Sequence, residues 1–161
     1  MKTFNDNAGR TWTIAVNVDA IKRVRSLLEV DLLEIVEGKL IEKLIRDPVL
    51  LCDVVYAVCK PEADAKSVSD EDFGRSMAGD AIEHATKALL EDLVGFSPSP
   101  RDRANLQRVL ATTWNVMDRA RDLIEQRIAS GELEKVVERA LATAGSSSGA
   151  APESSESTPA S

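Results

Sequence analysis

The chain has 161 residues, of which 43% are hydrophobic and only 4% aromatic, with 20 basic and 27 acidic residues and a net charge of −7. That is enough chain for one ordinary domain, whose core aliphatic side chains must fill. The acidic balance speaks against general binding to nucleic acid or anionic membranes, which needs a basic surface. No run of about eighteen apolar residues could cross a bilayer.

The first residues, "MKTFNDNAGRTW", have no apolar stretch of the secretory kind, so a signal peptide is not expected. They read as strand, turn, strand. Asn5 to Gly9 is turn chemistry, because Asn, Asp and Gly tolerate left-handed conformations. After the turn Trp12, Ile14 and Val16 alternate with Thr11, Thr13 and Ala15, and Phe4 can pair back across it. An isolated hairpin is marginal in water, so this one must pack on helices or extend another sheet.

From Asn17 the period becomes helical, with Asp19 as the expected cap and Ile21, Val24 and Leu28 on one face. Lys22, Arg23 and Arg25 lie off that face and form the most basic spot in the chain. They read as a solvated helix face. Asp31 to Arg46 carries two apolar clusters, with Gly38 as a break between them. "EGK" there is not a phosphate loop, since the preceding glycine and following hydroxyl residue are missing.

Asp47 is a good N-cap and Pro48 suits the first helical position. "VLLCDVVYAVC" is apolar on nearly all sides, so this helix is expected to be the most buried one, ending at Lys60-Pro61 because a residue before proline avoids the helical region. Cys52 and Cys59 lie two turns apart, roughly 10 Å, too far to bridge, and read as small apolar residues. "EADAKSV" reads as a polar loop.

Ser69 and Asp72 form a capping box, with Phe73 and Met77 behind it. Gly79-Asp80 interrupts, and a longer helix follows to about Val94 on a stripe of Ile82, Ala85, Leu89 and Leu93. Ser99, Pro100 and Asp102 start the next helix, expected from about Arg101 to Ser130 and roughly 45 Å long. Its stripe is Leu106, Leu110, Met117, Ile124 and Ile128, with Trp114 alongside. Gly131 stops it, and "ELEKVVERALATA" makes a last short helix. The segment from Ala144 to Ser161 has no large apolar residue and is expected to be disordered.

The expected architecture is therefore mainly α. An N-terminal β-hairpin and a compact multi-helix domain fill 1–98, a long helix plus a short helix fill 99–143, and a Ser/Ala/Pro-rich tail fills 144–161.

One stretch looks like chemistry. Ser67 to Ala85 holds five carboxylates and the only histidine, His84. Counted as a calcium loop from Asp70, its sixth residue is Arg75 and its twelfth Ala81, where glycine and glutamate are required. One histidine without a thiolate neighbour cannot build a zinc site alone. Glu83 and His84 point about 100° apart on a helix and do not face each other. Asp70, Glu71 and Asp72 are explained by the first turn of a helix, where free N–H groups favour negative charge. Neither a catalytic site nor a metal or cofactor is expected.

Three stretches, "DNAGRTWTIAVNVDAIKRVR", "DPVLLCDVVYAVCKP" and "VSDEDFGRSMAGDAIEHATKALLEDLVGF", together with their order, resemble the tail assembly chaperones of long-tailed bacteriophages and prophages. The likeness covers about residues 3 to 96. It implies a non-enzymatic protein of the bacterial host cytoplasm that coats the tape measure protein and brings tail tube subunits to it. It also implies absence from the finished particle and, in some members, a longer frameshifted product.

A small virion component, such as a head–tail connector, is the alternative within the same setting. A helical DNA-binding regulator using Lys22, Arg23 and Arg25 is the alternative from another class. Two further surfaces are candidates for partners. The hairpin around Trp12 could offer an edge for strand addition, and the stripe with Trp114 and Met117 could take a helix of a client or of another copy. Both tryptophans also fit plain core packing.

Overall fold

The computed structural model describes residues 1–145. The protein is mainly helical behind an N-terminal hairpin, as expected. Strands β1 (Lys2–Asn5) and β2 (Thr11–Ile14) pair antiparallel with Phe4 opposite Trp12. Helices α1 (Val18–Leu28), α2 (Lys39–Arg46), α3 (Pro48–Ala65), α4 (Asp70–Arg75), α5 (Asp80–Phe96), α6 (Pro100–Ala129) and α7 (Glu132–Gly145) follow. A 3₁₀ turn over Leu32–Glu37 precedes α2, and Gly38 separates the two in the left-handed region (φ 78°). The tail expected from Ala144 falls outside the described residues except for Ala144 and Gly145, which complete α7.

The helix starts follow local cap chemistry. Asp47 accepts from Leu50 N, Ser69 from Asp72 N and Ser99 from Asp102 N, each one satisfying an amide that the helix cannot. At α1 the cap is Asn17, which accepts from Ala20 N at 2.9 Å. Asp19, expected as the cap, instead lies in the first turn and pairs with Arg23.

The chain divides after Thr113 into two compact units. In the first, β1 lies across α5, β2 lies against α3, and α1 packs on α3. The hairpin's inward residues Phe4, Trp12 and Ile14 are buried with Leu51, Val54, Val55, Phe73, Leu89, Leu90 and Leu93. The expected boundary at 98/99 marks the start of α6. The units divide later because the first turns of that helix still carry buried residues, Leu106 and Leu110. The second unit, 114–145 among the described residues, has no buried residue.

Helix α3 departs from expectation. It runs through Pro61 to Ala65 rather than ending at Lys60-Pro61, so most of "EADAKSV" is helix, not loop. Proline cannot donate to the carbonyl four residues back and crowds it. That carbonyl belongs to Ala57, and the Arg23 guanidinium takes over the missing donation, 3.0 Å from Ala57 O and 3.1 Å from Val58 O.

Candidate functional site

The sequence points to six candidate residues, and they differ in burial and in partners. Trp12 is fully buried. Its ring meets Phe73 edge-on at 5.1 Å, and its indole N–H donates to Asp6 at 2.8 Å. It is a core residue and presents no surface.

Asp6 organises the turn around it. Its carboxylate accepts from Arg10 Nε (2.7 Å), from the Arg10 and Ala8 amides, and from Trp12, with the Ser76 hydroxyl 3.1 Å away. Arg10 in turn donates to Ser76 Oγ and to the Asp72 carbonyl, so the turn is bolted to the end of α4. Burial pushes the Asp6 carboxyl up, but the hydrogen bonds from Trp12, Arg10 and Ser76 together outweigh it, and the net displacement is below the ordinary value.

The strand edges differ. Asp6 and Arg10 form a hydrogen-bonded pair, so the alternate residues Thr3, Asn5, Thr11 and Thr13 turn their amides and carbonyls away from the partner strand. On β2 these outward groups are occupied. Glu62 accepts from Thr13 N at 2.9 Å, Cys59 Sγ donates to Thr13 O, and Lys66 Nζ donates to Thr11 O. The far end of α3 and its C-cap Lys66 therefore close the β2 edge that strand addition at Trp12 would need, and Glu62 and Lys66 reach it because α3 continues past Pro61.

The basic spot is also divided. Arg23 is anchored between Asp19 and the α3 carbonyls. Arg25 pairs with Asp31 at 2.8 Å, and that hydrogen bond is the main cause holding the Asp31 carboxyl below its usual value. Of the three, Lys22 stays exposed on α1, with no such tie among the described residues. A phosphate-binding row needs several cations presented together; on α1 Lys22 and Arg25 are exposed, while Arg23 is turned onto α3.

The carboxylates of Ser67–Ala85 fall where helix ends want them. Asp70, Glu71 and Asp72 occupy the first turn of α4, and Asp80 opens α5. His84 is exposed. Among the described residues no three His, Cys, Asp or Glu side chains gather closely enough to hold a metal ion. The thiols are inert: burial pushes Cys52 up to about 11 and Cys59 to about 12, so neither supplies a thiolate near neutral pH.

Trp114 and Met117 are half-buried on α6. The Trp114 indole nitrogen is out of solvent with no acceptor among the described residues. Around them the second unit leaves Val116, Leu123, Ile124, Ile128, Val136, Val137 and Leu141 between 53% and 68% exposed. Isolated apolar residues at a surface are ordinary; here seven of them fall on two consecutive helices. Helical periodicity marks Met117, Ile124 and Ile128 as one face but says nothing of what covers it, and Val116 and Leu123 fall outside that stripe.

Among the described residues, no helix is long and apolar enough to cross a membrane. Compared with known proteins, the chain matches no family model, no curated protein and no solved structure.

Proposed function

We propose that this chain is a non-enzymatic assembly chaperone of phage tail morphogenesis. It binds the tape measure protein in the host cytoplasm, helps recruit tail tube subunits, and leaves before the particle is complete. The observation that carries the reading is the exposed apolar surface of residues 114–145, which has no core of its own. The segment order of residues 3 to 96 supports it independently.

A long helical client is what such a surface suits. Apolar side chains at helical spacing dock an apolar helix face, and interspersed charges keep the complex in solution. Within 114–145, Arg119, Arg121, Arg127, Lys135 and Arg139 alternate with Asp118, Asp122, Glu125, Glu132, Glu134 and Glu138. The surface can therefore accept a client of either charge.

The test is co-expression with a tape measure protein from the same gene neighbourhood. Co-purification, and a rise in the client's soluble fraction, is the expected result. If the client is equally soluble alone and never co-purifies, the reading fails. Stoichiometric recovery of the chain in purified particles would instead make it a virion component.

A further inference from the structure

We infer that the outer edge of β1, together with the facing row of α5, binds an extended acidic peptide by strand addition. The inference is independent of the helical-client reading, since it uses a different surface and a different binding mode.

Three observations carry it. The hairpin has two edges, and among the described residues only one is closed. Side chains of α3 and of its C-cap Lys66 occupy β2, while Thr3 and Asn5 of β1 turn their amides and carbonyls outward from exposed positions. An unpaired edge of this kind is a template for another strand.

The edge also has a wall. Lys2, Thr3, Phe4 and Asn5 line one side of a groove of about 360 Å³, and His84, Lys87, Ala88 and Glu91 line the other. The four α5 residues recur at three- and four-residue spacing and so form one row along the strand. A peptide laid on β1 would have side chains of alternate residues directed at that row.

Finally, the groove is positive on an acidic protein. Of the lining residues Lys2 and Lys87 are basic and Glu91 is acidic; Glu91 pairs with Lys2 at 2.9 Å, and Asp92 also acts on Lys2. Lys87 is left to meet a carboxylate. Edge-to-edge pairing of two copies would bring two sets of lysines together. Charge thus favours an acidic segment over a second copy of this chain.

The experiment uses the full chain and a short fluorescent peptide in which glutamate alternates with threonine and valine, with a lysine-for-glutamate peptide as control. The acidic peptide should bind and the control should not. Thr3→Pro removes an outward N–H that takes no part in the hairpin's own ladder, and Lys87→Glu reverses the groove's charge. Each should weaken binding about tenfold or more. In the unmodified chain the peptide should slow hydrogen exchange at Thr3 and Asn5 and leave Thr13 unchanged, a readout that does not depend on how the variants fold. Equal binding of the two peptides, no binding below about 1 mM, or variants that bind like the parent would overturn the inference. So would self-association that Thr3→Pro abolishes, because the edge would then belong to a second copy.

Discussion

Arg23 hydrogen-bonds the carbonyl that Pro61 leaves without a donor. The guanidinium reaches from α1 to Ala57 O at 3.0 Å, across 34 residues of chain, and also holds Val58 O. A buried acceptor stripped of its partner costs about 1–3 kcal/mol. Arg23→Ala should therefore destabilise the protein by about 2 kcal/mol in urea titration. Pro61→Ala restores an intrahelical N–H to Ala57, so in that background the same substitution should cost under about 1 kcal/mol. Equal costs in both backgrounds would mean that Arg23 acts through its ion pair with Asp19 instead.

Asp6 makes the fold acid-sensitive in a defined direction. Its folded value lies below the ordinary 3.8, so its stabilisation is fully present above that value and is lost as the pH falls through the lower folded one. Asp6→Asn keeps the shape and removes the charge. It should lower stability at neutral pH and flatten the acid limb of a stability-against-pH curve. The limb should not vanish, because Arg25 displaces Asp31 in the same direction. An unchanged acid limb would show that Asp6 is not the group responsible.

What the sequence made legible was local. Asp47-Pro48, Ser69, Ser99 and Gly131 act within one turn of themselves, and the structure places a helix end at each. What it hid was long-range. Lys60-Pro61 reads as a stop because proline's defect is local, while its remedy, Arg23, sits on another helix. Trp12 alternates as any half-buried strand residue would, and only the Asp6 and Phe73 contacts fix it in the core. The α6 stripe was readable as a face, but periodicity says which residues point together and not what covers them.

The closed edge of β2 yields a prediction at single-residue resolution. Glu62 is the acceptor for the Thr13 amide, whereas the Trp12 amide belongs to the ladder with Phe4. Glu62→Ala should speed hydrogen exchange at Thr13 and leave Trp12 unchanged, at a stability loss of about 1 kcal/mol. Uniform acceleration along β2 would mean that the hairpin opens as a whole.

Trp114 tests a single atom. Its indole N–H is out of solvent without an acceptor among the described residues, a state that costs about 1–3 kcal/mol. Trp114→Phe deletes the donor and keeps most of the ring, so the denaturation midpoint should hold or rise. A fall of more than about 1 kcal/mol would show that the nitrogen is hydrogen-bonded in solution.

Leu106 and Leu123 lie on the same helix and should behave oppositely. Leu106 is 4% exposed and Leu123 is 60% exposed. Leu106→Ala opens a cavity and should cost about 2–5 kcal/mol. Leu123→Glu removes nothing from the core and should change stability by no more than about 0.5 kcal/mol. If residues 114–145 hold a helical client, however, Leu123→Glu places a charge in the middle of that contact and should abolish co-purification with the tape measure protein. Leu106→Ala, wherever it still folds, should leave co-purification intact. The pair separates loss of binding from loss of fold, and a client that tolerates Leu123→Glu does not use this face.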